Sequence, residues 1–256
     1  MNLILFEENE AALPGHYRGA DVWCRLACRD GRAVHLVKTL HKKAGDEFAA
    51  GILGGKRGKG RIEAFTGEGD LVVSLNLTED PPPRLDITVL VGFPRPIQTR
   101  RLLRDLSTMG VKAIHLTGCE LGDRNYLKTT LLNDGGARTA LIEGAVQARD
   151  TVLPQLDVFF SLKDWLEKSL QEEAGGGINL IACDNVDPDG SFGDGRPAPG
   201  PAVLAIGPER GWSERERHLL AGAGFKRLSL GSRSLRTETA CVAAVAALET
   251  ARRFRY

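Results

Sequence analysis

The chain has 256 residues, of which 42% are hydrophobic, enough to bury a core in one large domain or two smaller ones. With 34 Lys and Arg against 33 Asp and Glu the formal charge is +1, so no global field points to nucleic acid, and any such contact must come from local patches. No apolar run reaches membrane-spanning length, and the opening MNLILFEENE lacks the basic segment and cleavage site of a signal peptide, so a cytoplasmic location is expected.

From Met1 to about Leu75 the signals are short strands and turns, at Val34–Leu36, Glu47–Ile52, Arg61–Phe65 and Leu71–Leu75. Inside this stretch GGKRGKGR, residues 54–61, sets Lys56, Arg57, Lys59 and Arg61 on a Gly-rich turn. Such a loop can track RNA phosphates, and it can equally be a solvated hairpin turn. TEDPPPR, residues 78–84, is a stiff polar linker, which divides the chain into 1–77, a linker 78–84, and 85–256.

Beyond the linker, strands and helices alternate. Ile87–Val91 reads as a strand, Gln98–Met109 as a helix and Lys112–Leu116 as a strand. Helices are expected over Asn125–Asn133, Gly136–Ala148 and Leu162–Glu173, with further strands at Ile178–Ala182 and Ala202–Ile206. This alternation predicts an α/β domain with a mostly parallel sheet.

Five cysteines show no disulfide framework and no zinc spacing, so reduced thiols and no metal site are expected.

Two motifs near the C-terminus carry the most information. AVLAIGPERGWSERE, residues 202–216, reads as a strand, a loop punctuated by Gly207, Pro208 and Gly211, and a helix capped by Ser213 with Glu216 completing a capping box. RLSLGSRSLRTETA, residues 227–240, reads as a strand through Leu228 and Leu230, a break at Gly231, and a helix from about Thr237. Loops at strand C-termini of an open sheet are where α/β proteins bind small ligands. Neither is a dinucleotide or triphosphate loop.

IGPERGWSERE resembles I-G-P-E-G-G-[FW]-S-x-x-E, and LGSRSLRTETA resembles L-G-x-x-[IV]-L-R-T-E-T-A. Together they resemble the RsmE group of the knotted SPOUT methyltransferases, which methylate uracil N3 in 16S ribosomal RNA. VHLVKTLHKKAGDEF, residues 34–48, is similar to the group's H-L-x-x-V-L-R-x-x-x-G-D pattern, with His41 in the usual Arg place. Three departures stand out: Asp105–Met109 replaces a K-x-x-E-L pattern, Asp150 replaces an Arg, and Arg210 replaces the second Gly of P-E-G-G.

The resemblance implies a PUA-like β-barrel over 1–77 that helps hold RNA, and a SPOUT domain over 85–256 tied in a trefoil knot. It also implies a homodimer through the last helix, which is rich in Ala and Val. The implied cofactor is S-adenosyl-L-methionine, seated by Gly207, Gly211 and Gly231 with walls from Ile206, Leu230 and Leu235. Pro208, Glu209, Ser234, Thr237 and Cys183 complete the expected lining. Because a neutral uracil imide is a poor nucleophile, a carboxylate such as Glu238 or Glu209 is needed to take its proton. Arg236 is suited to stabilise the charge left on the ring. Glu238 reads also as a first-turn acid favoured by the helix dipole, and Glu209 as a carboxylate locking its own turn. The alternative function is a non-catalytic binder of RNA or ribosome precursors, or a methyltransferase for another RNA site. Base and ribose targets both stay open at this point.

Overall fold

A computed structural model describes residues 3–10, 22–170, 177–192, 194 and 199–253. The chain forms two compact units: Met1–Pro83 with Ala145–Leu153, and Arg84–Gly144 with Pro154–Tyr256.

Unit 1 holds a five-stranded sheet built from β1 (Ile4–Phe6), β2 (Val22–Leu26), β3 (Glu47–Ile52), β4 (Arg57–Phe65) and β5 (Leu71–Glu79). Their order is β1-β3-β4-β5-β2, with β1 parallel to β3 and the other pairs antiparallel. Alternation gives the sheet its two faces: Gly60 and Ile62 of β4 are buried while Lys59 and Arg61 are exposed. Phe6, Leu26, Leu36, Ile62, Leu71 and Leu75 form the core against the buried face.

Two expectations in unit 1 need correction. Val34–Leu36 is helical, not extended. Asp30 caps α1 (Gly31–Val34) by accepting the Arg32 N–H, and a π-type turn, His35–Thr39, continues it. Ala33 and Leu36, three apart, are both buried in the core. The Lys56–Arg61 cations do not ride on a Gly-rich loop either. The turn is Leu53–Lys56, and Arg57 to Arg61 lie within β4. There Lys56 Nζ is 3.8 Å from Asp80, Arg57 Nε 3.3 Å from Glu79, and Lys59 Nζ 2.7 Å from Glu47. Arg61 adds to the positive field on Glu47. Arg57 also donates to the Arg149 carbonyl at 2.8 Å, fixing the segment that returns to this unit. In that segment Asp150 is buried and accepts the Val152 N–H, a local turn-locking role for one of the departures seen in the sequence.

Unit 2 is an α/β layer structure. Its strands are β6 (Leu85–Gly92), β7 (Val111–Thr117), β8 (Gln155–Phe159), β9 (Asn179–Cys183), β10 (Gly190–Ser191), β11 (Ala202–Ile206) and β12 (Lys226–Ser229). Its helices are α2 (Pro96–Met109), α3 (Thr130–Asn133), α4 (Gly136–Ala148, of which residues 145–148 belong to unit 1), α5 (Leu162–Lys168), α6 (Glu214–Gly222) and α7 (Thr237–Arg253). All seven strands are parallel, in the order β10-β12-β9-β11-β6-β7-β8, as the alternating pattern predicts. Every residue of β11 is buried, as befits a central strand covered on both faces. The linker is shorter than expected, because β5 takes in Thr78 and Glu79. The helix expected over Asn125–Asn133 breaks into a 3-10 turn, Arg124–Lys128, and α3, which Thr129 caps. Residues 171–173 of the helix expected from Leu162 lie outside the described residues. Among the described residues no helix is long and apolar enough to cross a membrane.

Candidate functional site

At the C-terminal ends of β9, β11 and β12 lies a cleft of about 280 Å³. Three loops wall it, Cys183–Val186, Ile206–Gly211 and Leu230–Leu235, with Arg217 of α6 and the first turn of α7. This is the strand-end position where open α/β sheets place ligands.

Close backbone packing shapes the first loop. Pro208 runs directly over the end of β6, where a Cβ on Gly92 would stand 2.4 Å from Pro208 Cδ. Gly207 folds against Gly211, and a Cβ there would approach the Gly211 carbonyl carbon to 2.9 Å. Glu209 Oε1 accepts the Arg95 N–H at 3.0 Å, capping α2, whose N-cap residue offers no side-chain cap of its own. The expected capping box is present: Glu216 N–H donates to Ser213 Oγ at 3.1 Å, and Ser213 N–H to Glu216 Oε2 at 2.8 Å. Glu216 is buried, and its other oxygen accepts the Glu120 N–H at 2.9 Å. The loop is therefore tied down at both ends.

The second loop is stitched to the end of β9. Ser229 Oγ donates to Asn185 Oδ1 at 3.1 Å and accepts the Gly231 N–H. Asn185 Nδ2 donates to the Arg233 carbonyl at 3.4 Å. Thr237 Oγ1 donates to the Gly207 carbonyl at 3.4 Å, joining the start of α7 to the first loop.

Charge inside the cleft is balanced by one pair, Arg217 Nε to Asp184 Oδ2 at 2.6 Å. Burial pushes the Cys183 thiol up to about 12, with the Asp184 charge adding to the shift.

The structure brings together most of the residues the motifs single out. Cys183 comes from β9; Ile206, Gly207, Pro208, Glu209 and Gly211 come from the first loop; Leu230, Ser234, Leu235 and Thr237 come from the second. Gly231, Arg236 and Glu238 are not part of the wall. Gly231 has φ +120° and a Cβ there would meet nothing, so the chain path calls for glycine at this position and ligand contact does not. Arg236 is exposed just before α7, and Glu238 turns inward, with Oε2 buried and no hydrogen-bond partner. Sequence reasoning missed Asp184, Asn185 and Arg217. An Asp-Asn pair directly after a strand was the available signal for the first two.

The apolar side chains of Ile206, Leu230 and Leu235 in the lining, together with its polar groups, suit a ligand with an aromatic ring and a polar tail.

Comparison with known proteins points the same way. A family model for an RNA methyltransferase domain matches residues 81–249. Ribosomal RNA small subunit methyltransferase E of Treponema pallidum (strain Nichols) is 36% identical over 246 residues, 96% of this chain and 90% of that protein. Ribosomal RNA small subunit methyltransferase E 1 of Borreliella burgdorferi is 31% identical over 232 residues, covering 86% and 90%. Among solved structures, a ribosomal RNA small subunit methyltransferase E from Neisseria gonorrhoeae bound to S-adenosyl methionine superposes with a TM-score of 0.74. It is 21% identical and covers 98% of each chain, so it speaks for the fold.

Proposed function

The chain belongs to the RNA methyltransferase family, and on that premise we propose that it transfers a methyl group from S-adenosylmethionine to N3 of a uridine in small-subunit (16S) ribosomal RNA. One observation carries this reading. The two motif loops and the end of β9 converge on a single cleft lined by loop backbone and the apolar Ile206, Leu230 and Leu235, with Arg217 and Asp184 paired in its wall and Glu209, Arg210 and Arg233 also lining it. Two relatives named as ribosomal RNA small subunit methyltransferases support the substrate class.

The residues present fit the cofactor. Gly207, held against Gly211, and the rest of that loop would hold the cofactor through backbone groups, with Ile206, Leu230 and Leu235 as apolar walls. When bound, S-adenosylmethionine supplies an electrophilic methyl on a sulfonium centre. The protein's task is to hold the target nitrogen in line with that methyl and to remove its proton. Glu209 is committed to the Arg95 N–H and serves to position its loop. Glu238 keeps an oxygen with no hydrogen-bond partner, but that oxygen is buried and the residue lies outside the cleft wall, so Glu238 takes the proton in this reading only by turning its carboxylate toward the cleft. Arg236, exposed beside the cleft, is placed to stabilise negative charge on the uracil carbonyl oxygens.

The same reading takes unit 2 as a trefoil-knotted SPOUT domain and unit 1 as a PUA-like barrel that contacts RNA through Lys56, Arg57, Lys59 and Arg61. It takes the molecule as a cytoplasmic homodimer assembled through α7. Support for the knot domain is the parallel sheet order, and for the dimer helix its run of small residues.

The test is mass spectrometry of nucleosides from unmodified small-subunit ribosomal RNA incubated with protein and cofactor. The expected product is 3-methyluridine. A ribose-methylated nucleoside or a different methylated base would replace the proposed target, and no methyl at all with both ligands bound would favour a binding role.

A further inference from the structure

Charge is balanced inside the cleft and unbalanced at its mouth. Within the wall, Asp184 neutralises Arg217. Two more guanidinium groups line the same cleft, Arg210 from the β11 loop and Arg233 from the β12 loop. Both residues are exposed, and neither has an ion-pair partner among the described residues. Lys56, Arg57 and Lys59 of unit 1 are different, since each lies within ion-pair distance of a carboxylate. The acid nearest in sequence, Glu209, also lines the cleft and accepts the Arg95 N–H but pairs with neither arginine, so cations outnumber carboxylates two to one at the mouth.

Both arginines stand on fixed backbone. Arg210 sits between the anchored Glu209 and Gly211, which holds a left-handed φ of +73°. The Arg233 carbonyl accepts from Asn185 Nδ2. Two guanidinium groups on anchored backbone, one from each motif loop, thus line one opening. Arg210 occupies a position where the resembling motif has glycine, so a cation there is a feature of this chain.

We propose that Arg210 and Arg233 form a clamp for a backbone phosphate of the RNA strand whose nucleotide enters the cleft. This rests on the RNA methyl-transfer reading above. A planar guanidinium matches a phosphate bidentately and stays charged at all working pH values. With a chain charge of only +1, a polyanion must be held by such local cations. The shared chemistry is an oxyanion, which could also be the carboxylate of the cofactor. Exposure of both side chains at the mouth favours the phosphate.

The experiment uses the full chain with Arg210→Gln, Arg233→Gln and the double variant, each checked for an unchanged melting temperature. Binding of an unmodified small-subunit ribosomal RNA transcript is followed by fluorescence polarisation across a KCl series, and cofactor binding by calorimetry. Each lost phosphate contact should flatten the slope of log K against log salt by about 0.7 on single-stranded RNA, and the double variant by about twice that. Cofactor affinity should stay within about twofold of wild type, since the backbone and apolar walls hold it. An unchanged salt slope in the double variant overturns the clamp. So does a drop in cofactor affinity with the slope intact, which would assign the anion to the cofactor carboxylate. Methyl transfer by the wild type is scored separately, so a failure of the enzymatic reading leaves the slope measurement interpretable.

Discussion

Arg217 and Asp184 meet across the wall of the cleft at 2.6 Å, with the Asp184 side chain 8% exposed and that of Arg217 19% exposed. They join α6 to the loop after β9, and so join the helix of the first motif to a third wall that neither motif contains. Removing one partner leaves a nearly buried charge unpaired. Asp184→Asn and Arg217→Gln should each destabilise the protein by about 1–3 kcal/mol, below the cost for a fully enclosed pair because Arg217 reaches water. The double variant should recover part of that loss, giving a measurable coupling in a thermal or urea double-mutant cycle. Strict additivity would show that the pair does not hold the wall together.

Gly207 and Gly231 demand glycine for different reasons, and substitution should separate them. A Cβ on Gly207 would press on Gly211 and on Trp212 N, at 2.9 and 3.0 Å, so Gly207→Ala must move the loop that forms the cleft. Calorimetry should show S-adenosylmethionine affinity falling at least tenfold, about 1.4 kcal/mol. Gly231→Ala meets no atom but inherits φ +120°, so it should cost about 1 kcal/mol or more of stability and only a modest change in affinity. Equal affinity losses in both variants would mean that the two loops respond as one unit.

The parts legible in the sequence were those with strong local signals. Gly136–Ala148 and Ala202–Ile206 fold as expected, the first from an unbroken helical run and the second from five consecutive apolar residues destined for a central strand. Two apolar residues flanking a histidine do not distinguish helix from strand, which is why Val34–Leu36 misleads while Asp30, the cap, decides. Edge strand β8 has no fully buried residue and so little alternation to read. Long-range pairing is invisible in the chain order. Asp184 finds Arg217 33 residues away, and Lys59 finds Glu47 across a strand pair, so the cations of β4 look unopposed in sequence and are opposed in the fold.

Thiol chemistry offers a check on how enclosed the cleft floor is. Burial raises Cys183 to about 12, whereas Cys28 is exposed. The raised Cys183 thiol is scarcely ionised at pH 8, so alkylation should mark the exposed Cys28 first, and labelling at Cys183 should rise only as pH climbs well above 9. The sign for stability follows. A thiol raised when folded favours the fold fully below its ordinary value near 9, and that contribution fades as pH climbs toward 12. Peptide mapping that found Cys183 labelled as fast as Cys28 at pH 8 would contradict an enclosed cleft floor.

Catalysis separates Arg236 from Glu238, which sit two residues apart where α7 begins but face different surroundings. Arg236 is solvent-exposed next to the cleft, so its loss should leave cofactor binding nearly intact while removing charge stabilisation from the reacting base. Arg236→Ala should cut the single-turnover rate by roughly 10²-fold or more, the scale of deleting one preorganised electrostatic donor, and Lys should rescue it only in part. Glu238 has its Oε2 buried and unpartnered, a costly arrangement for a carboxylate that serves only the helix dipole. Glu238→Gln keeps the shape and removes the base. The rate should then fall by roughly 10²-fold or more with stability unchanged or slightly raised, the scale of losing one general base. If Glu238→Gln instead kept the wild-type rate, the proton would have to leave by water. Glu238 would then be a structural acid at the start of α7, and Arg236 alone would stabilise the developing charge.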